Sequence, residues 1–182
     1  AMTQRKMPEW AQEALKRSVG HRYYPLVVAL IAFASTATFA FPFFVVLIPA
    51  VLLAPRRWLL LGLLSGLTSG LGGAVLVEVF HFMGREVVIA RFPQLLEWGH
   101  WQIASEWLND YGLLALAVIA GSPIPQTPAI FVYSLSEPST FGVMIAVGMG
   151  KTVKYVFLAW LTARYPARFI ADYQQTVKNI QK

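Results

Sequence analysis

"GSPIPQTP", Gly121 to Pro128, stands in the middle of an otherwise apolar run from Tyr111 to Leu135. A run of that length and character can cross a membrane as one helix. Pro123, Pro125 and Pro128 argue against it, because each removes a backbone donor and pushes the residue before it away from helical geometry. The spacing predicts a chain that turns at this point, with Pro123 and Pro125 at the tip of a helical hairpin. Unpaired backbone groups cannot face hydrocarbon, so such a tip belongs inside protein or in a wet cavity. The competing reading is a proline-kinked spanning helix.

The same question arises earlier in the chain. Four segments are nearly free of charge: Tyr24–Ala54, Trp58–Met83, Tyr111–Leu135 and Thr140–Ala163. They account for most of the 57% hydrophobic and 13% charged composition and for the mean hydropathy of +0.55. Such a chain is expected to be an integral membrane protein of one domain. The first segment would be a helix of about 46 Å, too long for an ordinary crossing. "STATFAFP", Ser35 to Pro42, occupies its centre, and Pro42 marks a second hairpin tip. Shifting the sequence by 83 residues lays Pro42 on Pro125, Pro55 on Pro138 and Trp58 on Phe141. Each half then reads as hairpin, proline, spanning helix.

Charge decides between the two topologies. With all four segments crossing, Arg56 and Arg57 lie outside and the net-acidic stretch 84–110 lies inside, against the positive-inside rule. With the first and third segments re-entrant, both termini and Arg56/Arg57 are cytoplasmic, and every loop obeys it. The expected fold is therefore all-α, an inverted repeat of two re-entrant hairpins each followed by a transmembrane helix. Its parts are an amphipathic surface helix in 1–23 and a membrane domain over 24–163. That domain comprises hairpin 24–55, span 58–83, interfacial segment 84–110, hairpin 111–137 and span 139–163. A basic amphipathic tail, 164–182, completes the chain. Inverted repeats of this kind place substrate near the midplane, between broken elements.

The net charge of +6 sits mainly in the termini and one loop, which points to anionic lipid rather than nucleic acid. Cysteine is absent, which removes disulfides, thiolate catalysis and thiolate-bound metal. Ala1 ahead of Met2 reads as a cloning remnant, and Met2–Arg22 lacks the apolar core of a signal peptide.

Lys151 is the most costly residue, an ammonium near the middle of the fourth segment, worth about 3 kcal/mol on insertion scales unless paired or hydrated. Lys154 and Tyr155 follow within "GMGKTVKY", where glycines allow close backbone approach. An anionic lipid headgroup suits this stripe; snorkelling to the interface is the plainer reading. Ser122, Gln126 and Thr127 in one tip, and Ser35, Thr36 and Thr38 in the other, can satisfy backbone or face substrate. Glu78 and His81 share a helix face and are candidates for a proton or charge relay, including pairing with the lysines. "GLLSGLTSGLGG", Gly62–Gly73, presents small residues suited to helix packing. No metal signature is present, and no cofactor is expected.

On "SGLGGAVL", "WLNDYGLLALAVIAGSPIP" and "FGVMIAVGMGKTVKYVFLAW", the chain resembles the DedA superfamily (VTT domain), nearest its short YqaA-like branch. The resemblance spans roughly Phe33 to Ala163. It implies flippase or scramblase activity in the bacterial inner membrane, on undecaprenyl phosphate or phospholipid. It carries over "GKxxKY" at Gly150, Lys151, Lys154 and Tyr155, and the hairpin proline at Pro123. Members of that family carry acidic or arginine residues in the hairpins; this chain has none in "FAFPFFVVLIP" or "SPIPQTPAIF", so proton coupling through those positions is not expected. The expected function is transport of an anionic lipid between leaflets, with membrane lipids as partners and oligomerisation left open. A non-transporting adaptor is the alternative. An intramembrane lipid-modifying enzyme using His81 or His100 as base lacks the acids, nucleophile or metal its chemistry needs.

Overall fold

The computed structural model describes residues 7–91, 106, 108, 110–135 and 139–181; the expected interfacial segment 84–110 and Pro138 lie wholly or largely outside them. Among the described residues all regular structure is helical. The helices are α1 (Glu9–Ser18), α2 (Tyr24–Thr38), α3 (Phe44–Leu53), α4 (Trp58–Arg91), α5 (Leu113–Gly121), α6 (Thr127–Ser134), α7 (Thr140–Arg164) and α8 (Pro166–Gln181), with a short 3-10 turn at Pro55–Arg57 before α4.

The breaks fall where the prolines stand. α2 ends at Phe39, which takes a left-handed conformation (φ 41°) that a bulky side chain rarely adopts, and Pro42 follows before α3 begins. α5 ends at Gly121, and Pro123 and Pro125 occupy the gap before α6. Pro128 corrects one expectation: it lies in the first turn of α6 and starts a helix rather than stopping one, because a first-turn residue has no intrahelical donor to lose. α4 is bent at Gly84 (φ 74°, ψ 163°), the boundary expected for the second span. Ser139 caps α7 by accepting a 3.1 Å bond from the Gly142 amide.

Two helices, Pro55–Gly84 and Thr140–Arg164, are long and apolar enough to cross a membrane. They pack antiparallel along most of their length, and the glycine spacing explains how. A Cβ on Gly62 would fall 2.8 Å from Val156 Cα, one on Gly66 2.7 Å from the Thr152 amide, and one on Gly70 2.9 Å from Gly148 Cα. Each step of four along α4 is thus a step of four backwards along α7, and the two backbones come close, with the Thr152 hydroxyl beside Gly66.

The two broken segments use this pair as a post. α2 climbs beside α4, with Thr68 Oγ1 donating to the Ala29 carbonyl at 2.7 Å and Gly72 against Phe33 and Thr36. The chain then doubles back: the Tyr24 hydroxyl donates to the Ala50 carbonyl at 3.1 Å, and an Arg57 guanidinium nitrogen to the His21 carbonyl at 2.8 Å. α5 runs beside α7, with Leu113 against Gly142 and Gly121 against Gly150, and His81 Nδ1 lies 2.9 Å from the Ser134 carbonyl at the end of α6. The first segment therefore starts and ends near the beginning of α4, and the second near the beginning of α7.

α1 and α8 pack in part on the rest of the protein: Ala11 and Leu15 of α1 and Ile180 of α8 are buried in one cluster with α2, α3, Leu61 and Tyr155, while Trp10 and Ile170 are exposed. What stays open is an apolar band. Leu59, Leu63, Leu67, Leu71, Val75 and Val79 of α4, and Phe141, Ile145, Met149, Val153 and Phe157 of α7, are all exposed. Their steps of four draw one continuous stripe on each helix.

Gly70→Val is expected to destabilise the protein by about 1–3 kcal/mol or more, by overpacking the α4/α7 seam. Gly20→Ala, where an added Cβ meets nothing within 4 Å, is expected to stay within about 0.5 kcal/mol of the parent. Reversible unfolding in mixed detergent micelles measures both.

Candidate functional site

The break in each folded segment is brought to the middle of α7, and there each is held by a lysine. Lys151 Nζ donates to Thr36 Oγ1 at 2.8 Å, at the end of α2. Lys154 Nζ donates to the Ser122 carbonyl at 2.7 Å, just past α5. The two contacts lie one helical turn apart on α7. Lys151 is only 8% exposed. Among the described residues no carboxylate lies at ion-pair distance from either amine, so the two lysines share this site without an acidic partner.

Glycine makes the approach possible. Gly150 faces Gly121 so closely that a Cβ would sit 2.9 Å from the Gly121 amide nitrogen, which lets the second break come within a lysine's reach. Tyr155 is buried, with its ring 5.0 Å from that of Phe43 and its face 5.7 Å from Lys151 Nζ. It supplies packing against the first break and a cation–π contact, not an open wall.

The polar residues of the breaks divide by what they bond. Ser35 Oγ donates to the Phe41 carbonyl and Thr38 Oγ1 to Ala34, closing the end of α2. Ser122 spends its hydroxyl locally, donating to the Ile119 carbonyl and accepting from the Ile124 amide, and meets Lys154 through its backbone alone. Thr127 is buried in the first turn of α6. Gln126 Oε1 is buried without a hydrogen-bond partner, an acceptor beside the Ser122 turn that a donor group would satisfy. Thr36 is the residue whose role the sequence hid. Its partner lies 115 positions away, and the one local signal was a hydroxyl in an apolar segment.

Glu78 and His81 are not part of this site. Glu78 accepts from Thr140 Oγ1 at the start of α7, and His81 meets the Ser134 carbonyl. Thr140 precedes Lys151 by eleven positions, about 16 Å of helix. The pairing of these residues with the lysines is not made, because their shared helix face looks onto the other end of α7. Among the described residues no group of three or more His, Asp or Glu is placed to hold a metal.

The chain is 22% identical over 178 residues to an uncharacterized protein of Haemophilus influenzae (strain Rd), an alignment covering 96% of this chain and 86% of that one. No family model matches the chain, and no solved structure matches it.

Thr36→Val removes the acceptor of a buried ammonium and is expected to cost about 1–3 kcal/mol. In a Lys151→Met background the same change is expected to cost much less, and a double-mutant cycle in detergent unfolding measures the difference.

Proposed function

We propose that this is an integral membrane protein that moves an anionic lipid between leaflets, with the lipid phosphate held by Lys151 and Lys154. The observation that carries this reading is the buried, carboxylate-free ammonium of Lys151 beside that of Lys154, where two broken segments meet. Uncompensated charge in an apolar surrounding is costly, and in membrane proteins it marks substrate paths. Two apolar helices of spanning length and the exposed stripes along them support the membrane assignment.

On this reading the folded segments are re-entrant hairpins forming an inverted repeat, since each starts and ends at one end of the α4/α7 pair and the two use opposite ends. This is the arrangement that the DedA (VTT) resemblance implies. Arg56, Arg57, Arg164 and Arg168 gather at the end shared by the first segment and both tails, while Glu78 stands at the other. By the positive-inside rule that distribution supports cytoplasmic termini, and a bacterial inner membrane is the proposed location. A phosphate would compete with Thr36 and Ser122 for the ammonium hydrogens, so lipid entry would loosen the same contacts that hold the two breaks. Gln126 Oε1 offers an acceptor for a hydroxyl of the headgroup. A non-transporting adaptor gives no task to Lys151, buried without an acidic partner among the described residues.

The test is a reconstituted vesicle assay that follows fluorescent phosphatidylglycerol by chemical quenching of the outer leaflet. Lys151→Ala is expected to slow transfer at least about tenfold, the effect of losing one charge-assisted contact, and an unchanged rate would rule out the phosphate role. Arg56→Cys and Ser139→Cys, labelled in cells with an impermeant thiol reagent, are expected to react from opposite sides, the second from outside. Labelling of Arg56→Cys from outside would overturn the hairpin topology.

A further inference from the structure

Three observations converge at the carboxyl end of α7, well away from the lysine pair. The first is a shared aromatic ring: the guanidinium carbons of Arg164 and Arg168 lie 5.9 and 5.4 Å from the centroid of the Tyr165 ring. Trp160 braces that ring edge-on, at 6.4 Å and 88°. The second is company. α4 and α7 are antiparallel, so Arg56 and Arg57 at the start of α4 stand at the same end, and Arg57 reaches the His21 carbonyl in the turn that carries Arg22. The third is exposure. Arg22, Arg56, Arg164, Tyr165 and Arg168 are all exposed, and among the described side chains no carboxylate lies at ion-pair distance from any of these arginines.

We infer that this end of the molecule is a docking surface for the headgroups of an anionic leaflet, with Arg164, Tyr165 and Arg168 at its centre. The chemistry fits lipid. Guanidinium presents a planar fork to phosphate oxygens, while Trp160 and Tyr165 have the apolar body and polar tip that favour the membrane–water boundary. The residues also sit where a spanning helix ends, at headgroup height. The surface rests on the membrane assignment above but not on lipid transfer, since it shares no residue with the lysine site.

The experiment titrates the full-length protein in neutral detergent with short-chain phosphatidylglycerol, and separately with phosphatidylcholine of the same chains. Bound lipid is read by native mass spectrometry, in the parent and in a Lys151→Ala/Lys154→Ala background. Arg164→Gln/Arg168→Gln is expected to weaken phosphatidylglycerol binding by roughly tenfold or more in both backgrounds and to leave phosphatidylcholine unchanged. Arg164→Lys/Arg168→Lys, which keeps the charge, is expected to retain most of the binding and so separates loss of the surface from loss of the fold. Equal affinity for the two lipids, or undiminished binding in the Gln variant, would overturn the proposal. Loss of binding in the Lys variant as severe as in the Gln variant would overturn its electrostatic basis. Loss of transfer in Lys151→Ala with this binding intact would separate the two sites.

Discussion

The structure depends on how closely α4 and α7 approach. Their backbones approach closely at Gly62, Gly66, Gly70 and Gly148. In lipid the hydrophobic effect gives no preference for helix on helix over helix on tail, so van der Waals contact at short range has to hold the pair. The seam also fixes the register. Once Gly70 faces Gly148, Lys151 and Lys154 are carried to the level where the folded segments end, and Arg164 is carried to the level of Arg56.

The second constraint is what the broken segments do with their backbones. A helix interrupted among apolar neighbours exposes amides and carbonyls that must be paired. The first break is closed by Ser35 and Thr38, the second by the Ser122 hydroxyl. The Thr36 hydroxyl and the Ser122 carbonyl are then what the lysines take. The site is therefore an arrangement in which fold and chemistry share the same atoms.

Much of this was legible in the sequence, for identifiable reasons. Proline states its effect locally, so the breaks at Pro42 and at Pro123/Pro125 could be placed without any partner in view. A lysine inside an apolar run is conspicuous for the same reason, as were the small residues of Gly62–Gly73. The shift of 83 residues pairs Trp58, the first residue of α4, with Phe141, the second residue of α7. What the sequence could not state was who meets whom. Amphipathic spacing in α1 and α8 showed which face was apolar but not that Ala11, Leu15 and Ile180 would pack into one cluster. Glu78 and His81 share a face, yet the face was turned to Thr140 and Ser134. Pro128 shows a subtler failure, because the same ring that ends one helix suits the first turn of the next.

The choice of lysine at 151 is itself informative. Arginine would present five donors in a rigid fork, and a buried fork needs most of them satisfied at once. Here the surroundings offer one hydroxyl and one aromatic face, a setting that a compact ammonium on a flexible stem can occupy and leave. An arginine satisfied at this depth would need a permanent carboxylate, and the site would then be neutral and closed to a phosphate. On the proposed function, lysine leaves its amine available to a phosphate, with Thr36 as the partner to be displaced. The arginines at the carboxyl end of α7, proposed above to meet lipid headgroups, face the opposite demand. They are hydrated when unoccupied, so a full fork costs little there and gains bidentate contact with a headgroup when one arrives. Lysine at depth and arginine at the boundary thus follow from one rule, that the number of donors a cation carries must match what its surroundings can satisfy when no anion is bound.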